Sequence, residues 1–509
     1  MYQKGIYFAI TGSSHPGTLA ALLSNTILVP TTRLALTRRR MKTKGISRQR
    51  FLRLAGFCGA GISLGSPLFA LKRRNHPKRP NIILFLVDDL GYGDLGCYGN
   101  DYHETPNIDR LAAEGVRFTS AYGAAPNCSP TRASILTGQW PARTGITNYL
   151  PGNRKAKFVQ QKPLIPPDLP PGLPLSLHTL AEVFNSAGYA TVCAGKWHLG
   201  SGRHSPVHHG FDAHYSVEPG RRRRSMFAPY DQKNSKNEER GEYLTDRLTS
   251  DALRFIRESE NRPFFLYFPF FAVHRPLGAK QALIEKYRTK SEGFDDVNPV
   301  FAGMLEGIDV NVGRILSALE NLTDERETII LFTADNGGKE KSGSDIGPLR
   351  KDKGWLYEGG IRVPLILWGS NTIPRGYEES TPVSSVDFYP TLLSLANINT
   401  PNNQPVDGID LTPLIQRNEP LHRKELYWHF PHYSWAGASP GSAIRSGRYK
   451  LIESLETGEV ELYDLIRDIG EHNNLAESHA GLADSLRQRL NEWRTRVGAR
   501  MPKERDLSD

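Results

Sequence analysis

Short, almost uninterrupted apolar runs recur along this chain of 509 residues. The four clearest runs span residues 81–87, 189–194, 263–268 and 328–333. A strand that helices cover on both faces has such a run, whereas a half-exposed strand alternates apolar and polar positions. The pattern therefore predicts a central sheet of mostly parallel strands.

Helical segments with one apolar face separate these runs. The first is predicted after Thr105, a suitable N-cap, with Pro106 at its first position. Three more are predicted over residues 180–187, 245–259 and 387–396. This alternation of strands and helices indicates an α/β fold with a large mixed, mostly parallel sheet flanked by helices.

The pattern changes near the C-terminus. Residues 443–452 and 460–465 are typical of antiparallel strands joined through residues 456–458, and residues 475–497 are typical of an amphipathic helix. We therefore expect a smaller C-terminal α+β subdomain of antiparallel strands and a helix. The predicted organisation is an N-terminal extension with a targeting segment over residues 1–78, a main domain over 79–400 and this subdomain over 401–509.

The formal charge of +10 comes from the start of the chain. Residues 1–70 contain ten Lys and Arg residues and no Asp or Glu, and the remaining 54 basic residues match 54 acidic ones. A neutral body of this kind gives no reason to expect a nucleic-acid partner.

The same basic segment has the pattern of an export signal. After Met41, a positively charged region precedes the short, glycine-rich apolar run 55–64, and Ala70 is a candidate cleavage point. The run is too short to span a membrane stably. Residues 47–52 resemble a twin-arginine signal, but a glutamine splits the arginines, so a Tat-like and a Sec route both stay open. We expect a periplasmic or extracellular protein, with residues 1–40 as an upstream extension.

Charged and polar residues follow each of the four apolar runs within six positions. They are Asp88 and Asp89, Lys196 and His198, His274, and Asp335 and Asn336. Ligands of open α/β sheets lie beyond the carboxyl ends of the strands, so we expect these side chains to share one crevice. Adjacent carboxylates after a buried strand repel each other unless a cation neutralises them, which predicts a metal site.

Cys128 lies in a stretch with the pattern Cys-x-Pro-x-Arg. Pro130 is favoured at the first position of a helix, so the cysteine is predicted at a helix N-terminus, where an anion is stabilised. Further ordered motifs are Val87-Asp88-Asp89, Gly195-Lys196-Trp197-His198, His274 before Pro276, Ala334-Asp335-Asn336-Gly337, Lys353 before Tyr357-Glu358-Gly359-Gly360, and Asp387-Phe388-Tyr389-Pro390-Thr391. With Leu136-Thr137-Gly138 after Arg132, the chain resembles the type I, formylglycine-dependent sulfatases of the alkaline phosphatase superfamily, of the bacterial exported type. The resemblance covers most of residues 79–475.

The resemblance implies a role for each motif residue. Cys128 is the modified residue, oxidised by a formylglycine-generating enzyme, and its formylglycine is the nucleophile. The other implied roles are Arg132 as the group that orients the nucleophile, His198 as base, His274 as general acid and substrate ligand, and Lys196 and Lys353 as sulfate ligands. Asp88, Asp89, Asp335 and Asn336 then hold a divalent cation, with Ca²⁺ favoured over Mg²⁺ because protein oxygens predominate.

The implied reaction is hydrolysis of a sulfate ester on a sulfated carbohydrate, polysaccharide or aryl sulfate. A plain serine or cysteine nucleophile would leave a sulfate adduct that water attacks slowly. A hydrated aldehyde has a second hydroxyl, which expels sulfate when it is deprotonated. Residues 79–400 would then be the catalytic domain.

Two other functions stay open from the sequence. One is a phosphatase or phosphodiesterase of the same superfamily, and the other is a non-catalytic protein that binds sulfated glycans. Two residue patterns depart from the family. Gln139 stands where the extended motif often has a basic residue, which leaves the core Cys-x-Pro-x-Arg intact, and residues 213–216 replace an aromatic-glycine continuation, which leaves the substrate-facing loop undefined. We also expect the basic run Arg221–Arg224 to lie at the rim of the site and attract a polyanionic glycan.

Overall fold

The computed structural model describes residues 78–216, 225–230, 240–323, 326–369 and 371–506. The chain divides into two units, Met1–Arg73 and Arg74–Asp509, and the described residues all belong to the second. The predicted export signal and the run Arg221–Arg224 lie outside the described residues, so both stay predictions.

A mixed sheet of eight strands forms the centre of the described chain and confirms the predicted fold class. In spatial order its strands are Tyr377–Glu379, Val116–Phe118, Leu365–Gly369, Thr328–Ala334, Asn81–Val87, Phe264–Pro269, Ala190–Ala194 and Ala213–Tyr215. Leu365–Gly369 runs antiparallel to both of its neighbours, and the other neighbouring strands pair in parallel.

The central strand Asn81–Val87 is buried along its whole length and separates two apolar cores. Its side chains at 83, 85 and 87 face one core, and those at 82, 84 and 86 face the other. This is the reason for the continuous apolar run, because both faces of the strand are covered. Val87 pairs with Ala334, and Leu86 with Pro269, so three strands end level with one another.

Helices pack on both faces of this sheet. The longer helices of the main domain are Pro106–Ala113, Cys128–Thr137, Leu180–Ser186, Leu244–Glu258, Gln281–Lys290, Pro299–Glu320 and Phe388–Leu395. Short helices span Pro141–Thr144, Lys157–Gln160, Glu358–Ile361 and Thr412–Arg417, and one further long helix, Ala480–Val497, lies near the C-terminus. None of the helices in the described ranges combines the length and apolar character that crossing a bilayer requires.

A second sheet lies in the C-terminal part of the chain. Its four antiparallel strands are Glu425–Phe430, Gly441–Ser446, Tyr449–Ser454 and Val460–Asp464. The helix Ala480–Val497 packs on it through a core that includes Trp493, which stacks on Tyr427 with centroids 4.8 Å apart. The predicted boundary at residue 400 stays a prediction.

Three details of the predictions were wrong. Residues 443–452 are not one strand, because the chain turns at Gly447, whose φ of 57° lies in the left-handed region that glycine favours. The C-terminal helix begins at Ala480 rather than 475. Pro130 is the third residue of its helix, which begins at Cys128 itself.

Candidate active site

The side chain of Cys128 lies at the N-terminus of a helix that is buried along its whole length, Cys128–Thr137. Asn127 is the N-cap in an extended conformation, so the chain turns into the helix at the cysteine. Cys128 itself is buried, and the free backbone N–H groups of the first helical turn favour an anion beside it.

The carboxyl ends of the central strands bring the predicted acidic residues to this cysteine. One ligand atom from each of Asp88, Asp89, Cys128 and Asp335 lies within 4.8 Å of the others. Asn336 joins the group, because its Nδ2 donates to Asp89 Oδ1 at 2.9 Å. The structure therefore gathers the four predicted metal ligands and the predicted nucleophile in one place.

Three cations neutralise these buried carboxylates. Arg132, which is fully buried, donates from Nε and Nη2 to Asp335 Oδ2 at 2.8 and 2.6 Å. Lys196 Nζ donates to Asp88 Oδ2 at 2.5 Å. Lys353 Nζ donates to Asp89 Oδ1 and lies 3.1 Å from Cys128 Sγ.

These cations decide the charge state of the carboxylates. Burial by itself raises the pKa of Asp88, but Lys196, His274 and Arg132 together hold that pKa well below its ordinary value. Burial also raises the pKa of Asp89, but nearby positive charge, chiefly that of Lys353, holds this pKa below its ordinary value. Burial raises the pKa of Asp335 to about 6 against the charge of Arg132. All three carboxylates are therefore ionised above neutral pH.

The donor set fits a divalent cation. Asp88 Oδ1 and Asn336 Oδ1 are both buried, and neither accepts a hydrogen bond within the described part of the chain. A buried oxygen without a hydrogen bond costs free energy unless another electron acceptor reaches it. With the carboxylate oxygens of Asp89 and Asp335, these atoms form a hard, all-oxygen set that can hold a metal ion.

The two predicted histidines differ in their contacts and exposure. His198 is held by its Nε2, which lies 3.0 Å from the carbonyl oxygen of Leu150, and its Nδ1 is buried without a hydrogen-bond partner among the described residues. His274 is partly exposed, its Nε2 lies 3.8 Å from Asp89 Oδ2, and its Nδ1 lies 2.6 Å from the carbonyl oxygen of Arg275.

Two glycines allow the strand ends to approach this closely. A Cβ on Gly195, whose φ is 135°, would lie 1.9 Å from the carbonyl oxygen of Pro269. A Cβ on Gly337 would lie 1.9 Å from the carbonyl oxygen of Gly359. Larger residues at either position would displace the backbone that carries the neighbouring Lys196 or Asn336.

The sequence did not indicate the role of Ser129, which lies in the helix Cys128–Thr137 and contacts the backbone of the predicted base, His198. Ser129 Oγ donates to the carbonyl oxygen of His198 at 2.7 Å and accepts from the N–H of Leu150 at 3.0 Å. Leu150 lies 21 positions along the chain from Ser129, and no local pattern indicates this contact.

Other singled-out residues lie outside the cluster. Gln139 donates to the carbonyl oxygen of Pro405, and residues 213–215 form the edge strand of the main sheet. The aromatic segment 427–432 belongs mostly to a buried strand of the second sheet. There, Trp428 donates to the carbonyl oxygen of Gly123 at 2.9 Å.

Comparison with known proteins places this geometry in a family. Residues 80–398 match the family model described as Sulfatase, and residues 350–496 match the model described as N-sulphoglucosamine sulphohydrolase, C-terminal. The N-acetylgalactosamine-6-sulfatase of Rattus norvegicus is 36% identical over 381 residues, which are 69% of this chain and 68% of that protein. Arylsulfatase A of Homo sapiens is 34% identical over 471 residues, which are 81% of this chain and 86% of that protein.

A solved structure agrees. The structure of Ps i-CgsB in complex with k-i-k-neocarrahexaose has a TM-score of 0.71 and 30% sequence identity, and it covers 82% of this chain and 93% of that one. The family match spans more than half of the chain and contains the whole acidic cluster with Cys128. The chain therefore belongs to the sulfatase family and is an enzyme that hydrolyses sulfate esters.

Proposed function

We propose that the protein removes sulfate from saccharides with a formylglycine formed from Cys128 and a bound Ca²⁺ ion. The observation that carries the proposal is the position of Cys128, at a helix N-terminus beside Lys353 and three carboxylates. The similarity to N-acetylgalactosamine-6-sulfatase and to Ps i-CgsB, solved with k-i-k-neocarrahexaose, supports a sulfated carbohydrate as substrate. The basic N-terminal segment supports export through a Tat-like or Sec signal, to the periplasm or outside the cell.

An unmodified Cys128 would be a poor nucleophile in this place. Burial raises the pKa of its thiol, and the charge of Asp335 raises it further against the opposing charges of Lys196 and Lys353. Since the thiolate is the reactive form of cysteine, the residue would stay a neutral thiol at physiological pH. This supports oxidation of the side chain by a formylglycine-generating enzyme, for which the intact Cys-x-Pro-x-Arg pattern is the family's signal.

The metal would be held by Asp88, Asp89, Asp335 and Asn336. When bound, it supplies positive charge that stabilises sulfate oxygens and lowers the pKa of the attacking hydroxyl. Lys353 donates to Asp89 and Lys196 to Asp88, and both lysines would contact the remaining sulfate oxygens. Separation of Arg132 from Asp335 would leave a buried charge without its partner, so this ion pair fixes the orientation of the whole cluster.

His198 has the properties of a base. The carbonyl oxygen of Leu150 can only accept, so Nε2 of His198 carries the proton and Nδ1 has the free lone pair. Burial, with Lys196 and Arg132 nearby, holds the pKa of His198 well below its ordinary value, so the ring is neutral. A neutral imidazole with an open nitrogen can take a proton from the nucleophile's hydroxyl.

His274 would act on the leaving group. Burial lowers its pKa, while the negative charges of Asp88 and Asp89 oppose that effect. Its side chain is 38% exposed, so it reaches the solvent side of the cluster, where the saccharide alcohol would depart. The imidazolium form of His274 would transfer its proton to the departing oxygen, which leaves a neutral imidazole and a neutral hydroxyl.

The function is tested by sulfate release from sulfated monosaccharides, sulfated polysaccharides and aryl sulfates. We expect release from saccharide esters, and Cys128→Ala should lower kcat at least about a thousandfold because the nucleophile is lost. Cys128→Ser should react at most once and retain covalent sulfate, since one hydroxyl can attack sulfur but cannot expel the sulfate. Cys97→Ala is the matched control, because this half-buried thiol lies outside the site and should be dispensable. Preferential hydrolysis of phosphate esters would contradict the proposal.

Removal of the metal should abolish activity. Without the metal, Asp88 Oδ1 and Asn336 Oδ1 stay buried without a hydrogen-bond partner among the described residues and the sulfate oxygens lose a positive charge, so exhaustive chelation should lower kcat at least about a hundredfold and reduce the Tm. Added Ca²⁺ should restore both more effectively than Mg²⁺. Asn336→Ala should raise the Ca²⁺ concentration needed for half-maximal activity. Full turnover after exhaustive chelation would contradict a catalytic role of the metal.

Ser129 should matter as a positioning residue. Ser129→Ala removes the hydroxyl that holds both His198 and Leu150, and loss of such a buried hydrogen bond costs about 1–3 kcal/mol. We expect kcat to fall about tenfold with KM changed less than about twofold. Ser134→Ala is the matched control on the same helix, because Ser134 Oγ has no hydrogen-bond partner among the described residues. Equal kinetics of the two variants would show that Ser129 does not position the base.

A further inference from the structure

Trp435 is the most exposed of the large aromatic side chains among the described residues, with 67% of its surface in solvent. It lies in the loop between the strands Glu425–Phe430 and Gly441–Ser446 of the second sheet. Exposed tryptophan is uncommon in a folded protein, because its large apolar surface gains free energy when buried. An indole that stays exposed near a ligand site is therefore a candidate contact surface.

The indole of Trp435 is fixed in its exposed position. Its Nε1 donates to the hydroxyl of Tyr149 at 2.9 Å. Its ring packs against Phe158, with the two centroids 4.2 Å apart and the planes tilted by 49°. A surface held in this way loses little conformational entropy when a ligand binds to it.

One side of this surface adjoins Lys353. The next residue, Gly354, has no side chain, and a Cβ there would lie 2.3 Å from Ser434 Oγ and 3.3 Å from the Cβ of Ala436. The loop that carries Trp435 therefore lies directly against the segment that places the Lys353 ammonium 3.1 Å from Cys128 Sγ.

The other side adjoins His198. Tyr149 precedes Leu150, whose carbonyl oxygen holds the His198 ring at 3.0 Å. The charge of Lys353 also acts on the Tyr149 phenol, where it opposes the rise in pKa that burial causes. Trp435 and Tyr149 thus connect the two segments that place Lys353 and His198, and they lie at the rim of the site.

We propose that Trp435, with Tyr149, forms a subsite that binds a pyranose ring of the saccharide carrying the sulfate ester. This inference rests on the proposed function, and it states how the saccharide, which is the leaving group of that reaction, is held. A pyranose ring has an apolar C–H face, which can stack on the indole while the ring hydroxyls stay in water or reach the Tyr149 hydroxyl. One exposed indole is too small for a stable protein interface, which needs about 800 Å² from each partner.

The test compares wild type with Trp435→Ala, Trp435→Phe and Tyr377→Ala. Tyr377 is the matched control, an exposed aromatic residue on the outermost strand of the main sheet. The probes are N-acetylgalactosamine 6-sulfate, k-i-k-neocarrahexaose and inorganic sulfate as an inhibitor. Trp435→Ala removes the apolar surface on which the ring stacks, so it should raise KM for the saccharide about tenfold, which is about 1.4 kcal/mol. We expect kcat and inhibition by inorganic sulfate to change less than about twofold, and Trp435→Phe to keep most of the affinity.

The same variants are combined with Cys128→Ala to measure binding of both saccharides by calorimetry. This binding measurement tests the subsite independently of the reaction, because it needs no turnover. Absence of sulfate release by the wild type, with saccharide binding that Trp435→Ala weakens, would refute the proposed function and support the subsite. Unchanged saccharide KM and affinity in Trp435→Ala would overturn the subsite while leaving the reaction intact. Equal losses for inorganic sulfate and saccharide would also overturn it, because they would indicate collapse of the sulfate site.

Discussion

The structure depends on the neutralisation of three buried carboxylates by three buried or half-buried cations. Asp88, Asp89 and Asp335 leave adjacent parallel strands at the same level, where isolated charges of one sign would be too costly to bury. Arg132 neutralises part of this charge and belongs to the helix Cys128–Thr137, so the helix cannot shift without separating a buried ion pair. The need to neutralise these carboxylates therefore also fixes the position of Cys128.

This constraint also joins the two sheets. Lys353, the cation nearest to Cys128, lies just before the helix Glu358–Ile361. Glu358 accepts from the fully buried Lys450 of the second sheet at 2.9 Å. Breaking a buried pair of this kind costs several kcal/mol, so the C-terminal sheet holds the segment that carries Lys353 as well as the loop that carries Trp435. The main sheet supplies the proposed reacting groups, and the second sheet supplies part of the surface around them.

The sequence predicted what is local and failed where contacts are distant. The apolar runs mark their strands because both faces are covered, and residues of the acidic cluster follow closely where two of these strands end, as with Asp88 and Asp335. The hairpin within 443–452 was missed because apolar and polar residues interleave on both sides of Gly447, as they do along a single half-buried strand. Contacts such as Ser129 with His198, or Trp435 with Tyr149, join segments far apart in the chain, and no local periodicity records them.

The central claim is that residue 128 works as a formylglycine, and the mass of one peptide tests it most directly. Trypsin should release residues 118–132 from the active enzyme, and conversion of the Cys128 side chain to an aldehyde lowers the mass of this peptide by about 18 Da. The account predicts that the converted fraction resists thiol alkylation and rises in proportion to kcat across preparations made with and without a formylglycine-generating enzyme. Full sulfate release by protein whose Cys128 is entirely an alkylatable thiol would contradict it.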